Sequence, residues 1–182
     1  MTAVTDFSSL LSGLGSFDED LSGWDTSGVT TMHTTFKYAA AFNRPLTFDT
    51  SSVTTMGGMF DNAGLFSQPL DFDTSSVTTM SSTFGSALAF NQPLAFDTSS
   101  VTTMEKMFTV AVAFDADVSA WDVSSVVTFA DMFNAALALG ACRNHNIQSS
   151  FPANTNWPYA WPDGFPPNPD PNTAAAGPQW VP

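Results

Sequence analysis

Five aspartates recur along the chain at intervals of 24 or 25 residues, and a regular row of carboxylates is the feature best suited to binding a cation. They are Asp25, Asp49, Asp73, Asp97 and Asp122. If successive units stack like paired strands, neighbouring carboxylates lie about 4.8 Å apart and repel by about 1 kcal/mol in water. Donors in the Thr-Ser-Ser turn that follows would relieve this repulsion, and so would Ca²⁺. We favour the turn donors, because the chain lacks the closely spaced aspartates of a calcium loop. A calcium site is the weaker alternative.

Two adjacent threonines occupy the same place in most units, and the second of them is the more regular. These second threonines are Thr31, Thr55, Thr79, Thr103 and Thr128. A flat, uncharged file of hydroxyls and methyls could order water at an ice surface. Threonine is also a common helix N-cap, because its hydroxyl accepts a backbone N–H. We therefore favour helix capping for this file and keep an ice-binding face as the alternative.

The chain offers few residues for catalysis. Its only two histidines are His33 and His145, and we assign neither to a Ser-His-Asp set. Cys142 and His145 have the spacing of half a zinc site, but a second pair is missing. There is no glycine-rich phosphate loop and no nucleophile elbow. The sequence therefore predicts no enzymatic activity and no cofactor.

The charge balance restricts the partners. The 182 residues carry 17 acids against four bases, a net charge of −13. Nucleic acids and anionic membrane surfaces would be repelled, whereas cations, cationic proteins and neutral surfaces are compatible. No run is apolar and long enough to cross a membrane. The start, "MTAVTDFSSLL", lacks the basic and apolar regions of a signal peptide.

The elements that must position these residues follow from an internal repeat. Alignment on a valine gives the series Val4, Val29, Val53, Val77, Val101 and Val126. After the valine, apolar residues follow the i, i+3, i+4, i+7 spacing of a helix, as in Met56, Met59, Phe60 and Ala63. Before it, segments such as "NQPLAFDTSSV" alternate apolar and polar residues like a strand. Units this small must stack. The sequence thus predicts an α/β solenoid of about five stacked 24–25-residue strand–helix repeats.

The C-terminal part differs in composition. We assign residues 1–140 to the repeats, 141–162 to a C-terminal cap and 163–182 to a proline-rich tail. An open terminal coil needs an apolar cover, and Trp157, Tyr159 and Trp161 are the candidates for this aromatic cap. In the tail region, Trp161, Phe165 and Trp180 are predicted to dock on a partner.

The segment "FNQPLAFDTSSVTTMEKMF" at 90–108 carries a family resemblance. Its pattern is similar to that of the BspA-like surface-protein repeat family of bacteria and protists, a relative of leucine-rich repeats, and the similarity covers residues 4–139. The resemblance implies a leucine-rich-repeat-like solenoid, a cell-surface or extracellular location, and an interaction role without enzymatic activity. Together with the residues, it predicts a non-catalytic scaffold for protein–protein interaction, in surface adhesion or in a larger assembly. The alternatives are ice binding through the second threonines and calcium-dependent adhesion through the aspartates.

Overall fold

The computed structural model describes residues 4–159. Within that range there is one α-helix, α1 (Ala141–Ser150), and no extended strand. The repeat region consists of turns and irregular segments linked by single parallel β-bridges. These bridges join Asp6 to Thr31, Thr31 to Thr55, Thr55 to Thr79, Thr79 to Thr103, and Thr103 to Thr128. Each bridge connects equivalent positions of successive units, which we call coils.

Backbone hydrogen bonds hold the coils in register. The N–H of Gly58 donates to Ser81 O of the next coil (2.8 Å), and the N–H of Phe60 donates to Thr83 O (2.9 Å). The N–H group between them donates within its own coil instead, as in the 3.0 Å hydrogen bond from the Met59 N–H to Met56 O. Successive N–H groups therefore alternate between a hydrogen bond to the next coil and one within the local turn.

The predicted helices after each valine are wrong, although the predicted burial is present. Met56, Met59, Phe60 and Ala63 are all buried, but the backbone around them forms successive turns. Each coil has two left-handed residues four apart; in one coil they are Lys106 (φ 55°) and Val110 (φ 57°). A right-handed helix cannot contain such residues without a large steric cost.

The spacing of the coils explains why turns replace helices. Rings at equivalent positions of neighbouring coils, such as Phe60 and Phe84, have centroids 5.6 Å apart. Packed helices need about 8–10 Å between their axes. Coils this close leave no room for a helix in each unit, and the chain instead adopts flat turns that donate to the next coil.

The predicted strands are also wrong. In residues 69–73 the side chains alternate as expected, with Leu70 and Phe72 buried and Asp71 and Asp73 exposed. Within the described chain, however, no backbone N–H of residues 70–73 donates to the backbone of a neighbouring coil. These extended arms are tied instead by side chains, such as the Thr74 hydroxyl that donates to Asp97 O (2.9 Å). The α/β solenoid of strand–helix repeats is therefore corrected to a stack of turn-built coils.

The core of the stack is a double row of phenylalanine rings. One row contains Phe36, Phe60, Phe84, Phe108 and Phe133, and the other contains Phe17, Phe42, Phe66, Phe90 and Phe114. Within one coil the two rows also meet, as in the 4.1 Å centroid distance between Phe84 and Phe90. Stacked rings in both directions fill the interior with little free space.

The segment after the repeats covers the last coil. Phe151 is buried, and the Trp157 ring lies edge-on to Phe129 at 5.1 Å. The Asn154 side-chain amide donates to Val123 O (2.6 Å) and Val126 O (2.7 Å). Tyr159 accepts a 3.2 Å hydrogen bond from the N–H of Phe133. The third cap candidate, Trp161, and the tail at 163–182 lie outside the described residues.

Candidate functional site

The most regular exposed surface among the described residues is a polar strip along one side of the stack. We call it the lateral polar face. It consists of the five aspartates, the serine two residues after each of them, the serine three residues after four of them (Gly28 stands at this place after Asp25), and the first threonine of each pair. In the three central coils its members are Asp49, Ser51, Ser52, Thr54, Asp73, Ser75, Ser76, Thr78, Asp97, Ser99, Ser100 and Thr102, all exposed.

Each aspartate of this face is held by the serine two residues later. Asp73 Oδ1 accepts the Ser75 hydroxyl (2.7 Å) and the Ser75 backbone N–H (3.0 Å). The same backbone N–H contact occurs at Asp25, Asp49, Asp97 and Asp122. These hydrogen bonds lower the pKa of all five carboxyls below their ordinary value. The file of aspartates is therefore charged at neutral pH.

These carboxylates are thus surrounded by hydrogen-bond donors of the following turn. This is the arrangement that we favoured over a calcium site from the sequence. Between residues 4 and 159, no three His, Cys, Asp or Glu side chains converge in a group that could hold a metal ion. The calcium alternative gains no geometric support from this part of the chain.

The second threonines lie at the β-bridges, where they are half-buried. Several of their hydroxyls accept the backbone N–H two residues later, at 3.3 Å for Thr31 and Thr128 and 3.4 Å for Thr103. The Thr103 hydroxyl also lies 2.9 Å from the Ser81 hydroxyl. These threonines cap turns rather than helices, and they do not present an open row of hydroxyls.

The first threonines form the exposed row that the sequence reasoning missed. The hydroxyl and the N–H of Thr54 both donate to Thr30 O, at 3.1 and 2.9 Å. Thr78 repeats this arrangement on Thr54 O, at 3.2 and 2.9 Å. The sequence did carry a signal for this row. Val53 is buried, and in an extended segment the next side chain, that of Thr54, points to the opposite side.

Basic side chains do not neutralise the lateral polar face in the described residues. Three ion pairs are present, Lys37–Asp61 (2.7 Å), Arg44–Asp18 (2.9 Å) and Lys106–Glu105 (3.3 Å), and none involves the aspartate file. The face therefore carries a row of unpaired negative charges.

The remaining candidates lie apart from this face or beyond the described part of the chain. His33 is exposed and belongs to none of the groups described above. The side chains of Cys142 and His145, and the docking candidates Trp161, Phe165 and Trp180, lie outside the described residues. No helix within residues 4–159 combines the length and apolar character that a membrane span requires.

Comparison with known proteins identifies a family but no function. A family model described as "Mycoplasma protein of unknown function, DUF285" matches residues 1–94 and again residues 70–155. No curated protein and no solved structure matches the chain. Nothing in these results links the chain to the BspA-like repeats that its sequence resembles.

Proposed function

The chain belongs to this family of unknown function, and we propose that it is a non-catalytic scaffold whose lateral polar face binds a protein partner. The observation that carries the proposal is the repetition of one exposed pattern, Asp-x-Ser-Ser-x-Thr, in the three central coils on a hydrogen-bonded frame. A surface of this kind suits adhesion at a cell surface or a structural place in an assembly.

The electrostatics of the face favour a cationic partner. Coils joined by parallel bridges place successive carboxylates about 5 Å apart, and the turn hydrogen bonds that lower their pKa keep them charged. Lysine or arginine side chains at a matching spacing would offset the mutual repulsion. Solvent screens each exposed ion pair, so one pair contributes little on its own, and a partner would gain affinity by contacting several coils at once.

We test this with a fluorescent lysine 12-mer as the cationic probe. Replacing Asp49, Asp73 and Asp97 by asparagine removes three charges but leaves an oxygen that can accept the serine N–H. We expect this triple variant to bind the probe roughly tenfold more weakly at low salt. The measurement is fluorescence anisotropy over a range of salt concentrations.

A second triple variant provides the matched control. Glu19→Gln, Glu105→Gln and Asp131→Asn remove the same number of charges from positions outside the face. This control should bind nearly as well as the unmodified chain. Equal losses in the two variants would show that only net charge matters, and the proposed binding face would then be abandoned.

Ice binding is a second candidate, favoured by the exposed first threonines. Thr30, Thr54, Thr78 and Thr102 stand at equivalent positions, and their hydroxyls are fixed by the carbonyl of the preceding coil. Such a row repeats at about 4.8 Å and carries no charge of its own. The candidate thus moves from the half-buried second threonines to the exposed first ones.

Thermal hysteresis and ice-crystal shaping test the second candidate. We expect Thr54→Tyr with Thr78→Tyr to abolish the activity, because two bulky rings interrupt a flat row. A control with Leu65→Tyr and Leu88→Tyr changes two exposed positions elsewhere and should keep it. Absence of hysteresis in the unmodified folded chain would remove ice binding altogether.

A further inference from the structure

An apolar strip runs along the stack and shares no residue with the lateral polar face. It is formed by the residues eleven and twelve places after the repeat valine, in the coils from the second (Val29) to the sixth (Val126). These residues are Ala40 and Ala41, Gly64 and Leu65, Leu88 and Ala89, Val112 and Ala113, and Leu137 and Ala138. All of them are apolar, and we call them the apolar strip.

The apolar strip is exposed even in inner coils that have a neighbour on both sides. Leu65 and Leu88 are 59 and 47% exposed, and Leu137 is 63% exposed. The backbone beneath them is fixed, because the N–H of Leu65 donates to Ala40 O (3.2 Å) and the N–H of Ala89 donates to Gly64 O (3.1 Å). Stacking of the coils therefore orders the strip without burying it. A contiguous exposed apolar surface of this kind is typical of an interaction site.

The exposed columns that border the strip carry little charge. They stand nine and fourteen places after the repeat valine. The first contains Tyr38, Asn62, Ser86, Val110 and Ala135, and the second contains Asn43, Ser67, Asn91, Asp115 and Gly140. Asp115 is the one charged residue among them, and its carboxylate accepts the N–H of Gly140 (3.0 Å). With a net charge of −13, two copies of the chain repel each other, but on this side they can approach without facing rows of carboxylates.

The side-chain sizes in these columns suit a second copy that runs in the opposite direction. Reversal about the fourth coil, which begins at Val77, places the second coil against the sixth and the third against the fifth. Large residues then face small ones of the same column: Leu137 faces Ala40, Leu65 faces Ala113, Val112 faces Gly64, and Tyr38 faces Ala135. Leu88 lies at the centre and meets its own counterpart. Such a surface is self-complementary, as a two-fold interface requires.

We propose that the chain forms a dimer in which two apolar strips pack face to face, in opposite directions, around a two-fold axis. The leucines of one copy fill the places above the alanines and glycine of the other. The strip spans five coils, a length of about 20 Å, so the contact lies at the small end of protein interfaces. We therefore expect a weak dimer, with a dissociation constant on the order of 10–100 µM.

The dimer goes beyond the proposed function and does not depend on it. No residue of the lateral polar face takes part, so both copies keep this face free. A charged partner is a poorer occupant of the apolar strip, because its charges would lose water without gaining a counter-charge.

Sedimentation equilibrium of the full chain, over concentrations around the expected dissociation constant, tests the dimer. We expect Leu88→Asp to weaken dimerisation at least tenfold, because two carboxylates would meet at the two-fold axis. Val127→Asp is the matched control, since Val127 is also apolar, is 67% exposed and lies outside the strip. This control should dimerise like the unmodified chain. Circular dichroism verifies that both variants fold.

A charge exchange at the same position tests the contact independently of any loss of stability. Leu88→Lys alone should also be monomeric. An equimolar mixture of Leu88→Asp and Leu88→Lys chains should recover the dimer, because opposite charges then meet at the axis. If the mixture stays monomeric while both variants are folded, Leu88 does not face its own counterpart and the proposed pairing is wrong.

Cross-linking tests the direction of the two copies. In a Cys142→Ser background, a mixture of Ala40→Cys and Leu137→Cys chains should be linked by a short bis-maleimide, whereas Ala40→Cys chains alone should not. The reverse result would reject the antiparallel arrangement.

Two further results would overturn the proposal. One is equal dimerisation of the Leu88→Asp and Val127→Asp variants, which would place the contact elsewhere. The other is an unmodified chain that stays monomeric throughout the concentration series. If that monomer became a dimer when residues 163–182 were deleted, the chain's own tail would be identified as the occupant of the strip.

Discussion

Phe84→Ala is expected to lower the free energy of unfolding by about 3–5 kcal/mol, the range for removing a buried phenylalanine side chain. Phe84 is fully buried at the centre of the double ring row. Its ring lies 4.1 Å from Phe90 in the same coil and 5.6 and 5.7 Å from Phe60 and Phe108 in the adjacent coils. The loss is large because neighbouring coils are fixed by backbone hydrogen bonds and cannot collapse into the cavity.

Urea unfolding followed by near-ultraviolet circular dichroism measures this change. Leu88→Ala is the control, because Leu88 lies in the same coil but is 47% exposed. Its effect should stay within about 0.5 kcal/mol. Similar losses for the two variants would mean that the ring rows do not dominate the core as the structure indicates.

Asn154→Leu is expected to cost about 1–3 kcal/mol, because it removes the two side-chain hydrogen bonds that tie the covering segment to the last coil, each contributing about 0.5–1.5 kcal/mol. The Asn154 amide bonds Val123 O and Val126 O at 2.6 and 2.7 Å, and the side chain is buried. A leucine of similar size fills the space but donates no hydrogen bond. The last coil should therefore open before the rest of the stack.

Thermal unfolding and amide hydrogen exchange together test the expected effect of Asn154→Leu. Exchange should increase first in residues 118–139, beneath the covering segment. Asn134→Leu is the matched control, since Asn134 is exposed and its side chain forms none of the described hydrogen bonds. An unchanged unfolding temperature for Asn154→Leu would show that this segment packs on the last coil without stabilising it.

The period of the repeat and its buried positions could be predicted from the sequence. The valines and the Met-x-x-Met-Phe spacing mark residues that face inward, and Val53, Met56 and Phe60 are buried accordingly. The contact between each aspartate and the serine two residues later is local, so it follows from turn chemistry. These features depend on short-range geometry, which the order of residues specifies.

The backbone conformation could not be predicted in the same way. An apolar spacing of i, i+3, i+4, i+7 occurs in a helix, but successive turns with left-handed residues bury the same positions. Alternation in the Pro-Leu-x-Phe arms likewise indicates an extended chain without indicating whether it pairs. The choice depends on the distance to the neighbouring coil, and one unit alone carries no information about that distance.

By itself, then, the sequence determined the register, the inward-facing residues and the acidic, repeated character of the surface. The tertiary structure decided three further points. Ring stacking at 5.6 Å between Phe60 and Phe84 excludes helices from the coils, because packed helices need about 8–10 Å between their axes. Coil-to-coil hydrogen bonds turn the first threonines outward and leave the second half-buried. The covering segment closes the C-terminal end of the described stack, because Asn154 bonds and Trp157 packs on the last coil.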